Sequence, residues 1–321
     1  MDVSIILITY NSQDTISDCL NNINLSILDS KLQCELIIVD AFSKDNTLAL
    51  IKSKSLYQKF ISTDKKIKYI NQLIKVGFHT IDFGSFVSPK AIPQLKDTEI
   101  VLNNLDLDNS NTNLLSIIAN LRGAKKACDF KQINYLGYPL SISEIFQKKN
   151  TNKTINESLD LVAELQDLCI QHNKKIQVYI SMAFGNPYNE KWDANLILEL
   201  IYKLDKLLVK DIALSDTIGV SNKNKINLLF TNLIKNYPNL NFGAHFHSTY
   251  DDSTEKIKAA YLSGCVRFDS AIKGYGGCPM ATDKLVGNIP TEKVIEFFND
   301  KVKINHFELN EAIRISDSVF I

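Results

Sequence analysis

Short apolar runs alternate with amphipathic stretches along most of this chain. From residue 79 onward the runs are "HTIDFGSF" (79–86), "NLLSIIAN" (113–120), "INYLGYPLSIS" (133–143), "IQVYISMAF" (176–184), "DIALSDTIG" (211–219), "NFGAHFHS" (241–248) and "CVRFDSAIKG" (265–274). Their length and apolar character predict strands. Between them lie helix-period patterns. In "TINESLDLVAELQDLCIQHN" the apolar positions Ile155, Leu159, Val162, Leu165 and Cys169 fall on one face. Strand, helix, strand, repeated with short connections, predicts parallel strands joined by right-handed crossovers. Seven such strands are one short of a closed barrel. The expected fold is therefore α/β, a (β/α)₈ TIM barrel over about residues 35–300, with an atypical N-terminal strand–helix extension. An open doubly wound sheet is the alternative. It would normally begin with a glycine-rich phosphate loop, and the chain has none.

The first 60 residues repeat a strand-then-helix pattern twice, in "VSIILITYNSQDTISDCL" and "CELIIVDAFSKDNTLALIK". Either residues 4–10 or residues 35–41 would close the barrel, which leaves the other strand surplus.

Polar residues collect at the C-terminal ends of the later runs: Asp82 and Ser85, Asn120, Ser141 and Ser143, Ser181, Asp216, His245 and His247, and Asp269. In a barrel these ends converge on one mouth, where catalytic groups sit. Within "NFGAHFHSTYDD" the two histidines are two residues apart, so on a strand they share a face. Two neutral imidazoles on one face make half of a divalent-metal site. Two core histidines bonded to backbone are the plain alternative, and the polar strand ends favour the metal. Directly after the last run, "GYGGCPMATDKLVGN" places three glycines before Cys278. That spacing predicts a tightly turned loop with an accessible thiol.

Composition narrows the function classes. The 321 residues carry 36 basic and 36 acidic side chains, so no electrostatic footprint argues for nucleic acid or an anionic membrane. No apolar stretch reaches membrane-spanning length, and "MDVSIILITYNSQD" lacks the pattern of a signal peptide. Cys19, Cys34, Cys128, Cys169, Cys265 and Cys278 are scattered, as expected of reduced thiols in a cytoplasm.

Together, "GSFVSPKAIPQLKD", "LSDTIGV", "GAHFHSTYDD" and "GYGGCPMATDKLVGN" resemble 3-hydroxy-3-methylglutaryl-CoA (HMG-CoA) lyase, over residues 61–319 and in that family's order. The His-x-His strand is shared with the condensing synthases of the same superfamily, and the glycine-rich cysteine loop is the lyase mark. The resemblance implies a metal-dependent carbon–carbon lyase that cleaves HMG-CoA to acetyl-CoA and acetoacetate, as in leucine degradation. It implies Mg²⁺ or Mn²⁺ as cofactor, an acyl-CoA substrate, and a homodimer as a candidate assembly. His245 and His247 resemble the metal-ligating pair, and Asn288 the ligand beyond the loop. Cys278 resembles the thiol needed for turnover. Asp216 and Glu292 match acidic positions important for activity, and Asp82 stands where related enzymes have glutamate. His245 and Cys278 are the expected acid and base.

The departure lies at the front. The family's first strand ends in Arg-Asp, whereas "LIIVDAF" offers Asp40 as the metal carboxylate and Val39 in the arginine's place. The only arginines are Arg122, Arg267 and Arg314. Loss of such an enolate stabiliser costs about a hundred- to a thousand-fold in rate, so impaired turnover is expected. Residues 1–52 instead resemble the opening of a family-2 glycosyltransferase. The expected division is thus a glycosyltransferase-like fragment over 1–55 and a lyase-like barrel over 56–321. A non-catalytic barrel that binds metal or CoA, and a truncated nucleotide-sugar binder, are the alternative functions.

Overall fold

The computed structural model describes residues 3–29, 34–53, 60–277 and 286–320. They fall into two compact units, residues 3–53 with 60, and residues 61–277 with 286–320.

In the first unit, β1 (Val3–Thr9), α1 (Ile16–Asp29), β2 (Cys34–Asp40) and α2 (Thr47–Ser53) follow one another. The strands pair in parallel from Val3↔Cys34 to Thr9↔Asp40, with α1 as the crossover. Leu7, Leu36 and Ile38 pack one face of the pair against Ile16, Leu20 and Ile51. Ile6, Ile8, Ile37 and Val39 on the other face are exposed. Beyond β2, the Asp40 carboxylate accepts bonds from Ser43 N (2.9 Å), Ser43 Oγ (2.5 Å) and Thr9 Oγ1 (2.9 Å). The bonds from Ser43 hold this carboxyl below its usual range.

This pairing corrects two expectations. Neither residues 4–10 nor residues 35–41 join the barrel sheet, and Asp40 does not end a barrel strand. Both strands belong to a separate two-stranded sheet. The reason is local: a β-α-β loop closes over few residues, and two apolar strands of matching length satisfy each other at low entropic cost.

The second unit opens with α3 (Thr63–Val76). Seven strands then alternate with helices: β3 (Thr80–Ser85), α4 (Thr98–Asn103), β4 (Asn113–Ile117), α5 (Leu121–Cys128), β5 (Ile133–Ser141), α6 (Glu144–Thr151) and α7 (Ile155–Gln171). The chain continues through β6 (Lys175–Ser181), α8 (Ala194–Lys206), β7 (Asp211–Asp216), α9 (Lys223–Asn236), β8 (Asn241–Phe246), α10 (Ser253–Leu262) and β9 (Arg267–Asp269). It ends with α11 (Thr291–Phe298) and α12 (His306–Phe320). All seven strands are parallel and neighbours in chain order. Each of the seven apolar runs supplies one of them.

Helix starts are set by caps. Asn120, Ser143, Thr154, Asp193 and Asn222 each accept a backbone N–H from the first turn of the helix that follows, and Thr154 and Glu157 form a reciprocal capping box. Each such cap contributes about 1 kcal/mol. Ile81, Leu114, Ile212, Leu214, Ala244 and Phe246 on the strands join Val162, Leu165, Ile201, Leu204, Phe230 and Leu233 on the helices in one core. Asp82 on β3 and Asp269 on β9 belong to opposite edge strands, yet the two carboxylates interact electrostatically. The sheet is therefore curled into a TIM-barrel-like α/β fold, with seven strands among the described residues.

Candidate active site

Strand register puts the site together. Ser215 on β7 lies beside His245 on β8, and His245 beside Asp269 on β9, so the three side chains share one face. His247 follows two residues after His245, and its N–H donates to the Asp216 carbonyl (3.2 Å). After the glycine-rich loop the chain returns to this strand end. Ser248 N donates to Gly287 O (2.9 Å) and Ile289 N to Phe246 O (3.1 Å), which makes His247 and Asn288 antiparallel bridge partners. The Asn288 amide donates from Nδ2 to Tyr275 O (2.8 Å), leaving its side-chain oxygen to act as an acceptor or ligand. Gly276 must be glycine here. Its φ is +93°, and a Cβ would sit 2.9 Å from Asn288 Nδ2.

The electrostatics separate the two imidazoles. His245 Nδ1 lies 3.1 Å from Asp269 Oδ2, and the Tyr179 ring packs edge-on against His245 at 5.2 Å. Donation from Nδ1 to the carboxylate leaves the lone pair on Nε2. His247 is 4 % exposed, and burial, reinforced by His245, pushes its pKa down to about 4. It is a neutral imidazole at physiological pH. Among the described residues, buried His247 Nδ1 and Ser215 Oγ find no hydrogen-bond partner. Such orphans cost about 1–3 kcal/mol each, so an unpartnered imidazole nitrogen at this strand end marks a place where a ligand belongs. Asp82 is reached by solvent but surrounded by protein. That enclosure, together with Asp269 and against the pull of His245, raises its carboxyl to about 7.

Among the described residues no three His, Cys, Asp or Glu side chains gather as a metal centre. The donor set that does assemble is two imidazoles and an amide oxygen. It fits a divalent cation of borderline hardness with open coordination positions. The orphaned His247 nitrogen is the observation that supports the fit.

Asp216 and Glu292 are occupied by contacts of their own. Asp216 is 1 % exposed and fully engaged: it accepts from Val220 N (2.8 Å), Ser221 N (3.0 Å) and Lys256 Nζ (2.7 Å). Its position thus staples the loop after β7. Glu292, in the first turn of α11, accepts from Lys273 N with both oxygens (3.1 and 3.0 Å) and so anchors the start of the glycine-rich loop. Asp40 lies in the other sheet, as described above. Cys278 lies outside the described residues. Arg122 is exposed in the first turn of α5.

Three contributors went unassigned in the sequence. Asp269 was visible only as a polar strand end, and its partner depends on register. Tyr179 reads as an ordinary apolar strand residue. Arg267 shares the face of Asp269; its guanidinium lies across Gly243, where a Cβ would meet Nε at 2.2 Å, and reaches to 3.6 Å from Asp211. The pairing of a glycine with a strand arginine is a long-range signal that neither residue announces.

Comparison with known proteins agrees with this geometry. Residues 54–319 match the HMGL-like family, and residues 4–80 give a shorter match to glycosyl transferase family 2. Hydroxymethylglutaryl-CoA lyase YngG of Bacillus subtilis is 31% identical over 236 residues, covering 74% of this chain and 78% of that protein. A 3-hydroxy-3-isohexenylglutaryl-CoA/hydroxy-methylglutaryl-CoA lyase of Pseudomonas aeruginosa is 29% identical over 239 residues, covering 74% of this chain and 79% of that protein. The structure of an HMG-CoA lyase from Acinetobacter baumannii, in complex with coenzyme A and 3-methylmalate, superposes with a TM-score of 0.75 at 30% identity. It covers 82% of this chain and 87% of that one. With the match spanning most of its length, the chain belongs to the HMGL-like family, whose relatives here are HMG-CoA lyases.

Proposed function

We propose that this chain is a divalent-cation-dependent carbon–carbon lyase that cleaves HMG-CoA to acetyl-CoA and acetoacetate. The observation that carries the reading is the buried, unpartnered His247 Nδ1, with Asn288 as bridge partner and His245 alongside. His245, His247 and Asn288 would hold the cation, Mg²⁺ or Mn²⁺. When bound, it supplies Lewis-acid polarisation of the substrate's oxygens.

The chain's own groups do the rest. Asp269 orients His245 through Nδ1. Asp82, coupled electrostatically to His245 and Asp269, is the carboxyl suited to move a proton at the reacting centre. Loss of the 3-hydroxyl proton lets the C2–C3 bond break. C3 becomes the carbonyl of acetoacetate, and the bonding pair passes to C2 as the thioester enolate. A proton delivered to C2 completes acetyl-CoA. The resemblance assigns Cys278 a part in turnover; Asp216 and Glu292 support the site through the loops they pin.

Turnover is expected to be slow. The arginine lying on the sheet's inner face is Arg267, held toward Asp211 one residue pair below the histidines. An enolate oxygen at the histidine level would lack the cationic donor of the family, a loss of about a hundred- to a thousand-fold. A non-catalytic barrel that binds metal and acyl-CoA is the second reading. It is favoured by the placement of both N-terminal strands outside the seven-stranded sheet.

The test is product formation by the intact chain after chelation and readdition of Mg²⁺ or Mn²⁺. Equimolar acetoacetate and acetyl-CoA that appear only with the cation, and vanish in His247→Ala, support the lyase. Cation and acyl-CoA binding without product supports the second reading.

A further inference from the structure

Behind the histidines lies a buried cation that the chemistry above does not use. Lys256, on α10, is 8 % exposed, and its ammonium has three acceptors: Asp216 Oδ2 (2.7 Å), Gly219 O (3.0 Å) and His247 O (2.9 Å). An ammonium has three protons, so its bonding capacity is filled. The acceptors come from the end of β7, the loop after it, and the residue just past β8. Asp216 in turn receives Val220 N and Ser221 N, and its carbonyl receives His247 N. The His247 backbone is therefore gripped from both sides, through its N–H by Asp216 and through its carbonyl by Lys256.

We propose that Lys256 is a positioning residue for His247, fixing the backbone from which that imidazole faces the cation site. The proposal rests on reading His245, His247 and Asn288 as a cation centre. Two facts argue that the knot serves His247 rather than stability alone. An ion pair this buried contributes little net stability compared with an apolar pair of the same shape, because both charges lose their hydration. And one of the three bonds goes not to the counter-ion but to the His247 carbonyl.

The test uses the intact chain stripped of metal and titrated with Co²⁺, followed by visible absorption, alongside thermal melting. Lys256→Met alone strands the buried Asp216 carboxylate, so the informative variant is Lys256→Met with Asp216→Asn, which carries no uncompensated charge. Lys256→Arg keeps the charge but not the compact three-way reach. Co²⁺ affinity about 10–100-fold weaker than wild type, with an altered absorption band, is expected in the double variant even where its melting temperature matches wild type. The same direction is expected in Lys256→Arg. A merely structural lysine predicts the opposite: affinity that recovers with stability. Wild-type affinity and spectrum in both variants would overturn the role of Lys256 while leaving the cation centre intact. Absence of Co²⁺ binding by the wild-type chain would overturn the centre, and this role with it.

Discussion

Gly123→Ala sets two effects of known sign against each other. Gly123 lies in the first turn of α5, where its N–H bonds the Asn120 cap (2.9 Å). By helix propensity alone, alanine should stabilise this helix by up to about 1 kcal/mol. But a Cβ here would sit 2.5 Å from the Phe86 carbonyl oxygen and 3.4 Å from its carbon. The obstacle is backbone, and it is held: Phe86 N donates to Ile117 O (2.9 Å), and Ser85 Oγ to the same oxygen (3.1 Å). Relief needs a shift of about half an ångström or more where β3 leaves the sheet, of the overpacking kind that costs about 1–3 kcal/mol. The clash should win, leaving a net loss of about 1–2 kcal/mol. Urea unfolding followed by fluorescence reads this cleanly, because the one tryptophan, Trp192, lies in the barrel unit and is tied to Ala183 O (2.8 Å). A lower midpoint at unchanged slope is expected. A midpoint equal to or above wild type would mean that propensity prevails and that the approach of α5 to Phe86 is looser than described.

Three further outcomes follow from the same structure. Asp82→Asn should abolish proton transfer and lower acetoacetate release at least about a hundred-fold with little change in Mn²⁺ affinity; retained activity would remove Asp82 from the reaction. Asp97 is buried, yet Lys66 (2.7 Å) and Thr63 (2.7 Å) outweigh desolvation and hold its carboxyl below the usual value. Its contribution is therefore complete above about pH 4, the unfolded value, and lost as pH falls through the lower folded one, so Asp97→Asn should cost about 1–3 kcal/mol at pH 7 and progressively less in acid. A pH-independent difference would contradict this. Asp40→Ala should leave Mn²⁺ affinity unchanged, because β2 pairs outside the barrel sheet; a weakened site would return Asp40 to the metal.

How much of this was legible in the sequence depended on how local the signal is. The seven apolar runs became β3 to β9 because strand length and the helical stripes between them are written within a few residues. The caps Asn120 and Ser143 sit where strand gives way to helix for the same reason. The shared face of His245 and His247 followed from a period of two. What could not be read was partnership. The apolar strand ending in Asp40 has the right composition for a barrel, and only its pairing with β1 removes it. Asp269 reaches His245 through the register of β8 and β9, Lys256 reaches His247 across a helix, and Arg267 fills space that Gly243 leaves empty. Each depends on which strands or helices become neighbours, a property of the folded chain rather than of any window in it.

Mn²⁺ titration of the metal-free intact chain, followed by electron paramagnetic resonance of the free ion, tests most directly whether His245, His247 and Asn288 form one cation site. One tight equivalent is expected in wild type, with affinity reduced by about ten-fold or more in Asn288→Ala and His245→Ala and lost in His247→Ala, whose unpartnered buried nitrogen is the feature on which the site rests. Equal binding by wild type and His247→Ala, or no tight equivalent in wild type, would contradict it.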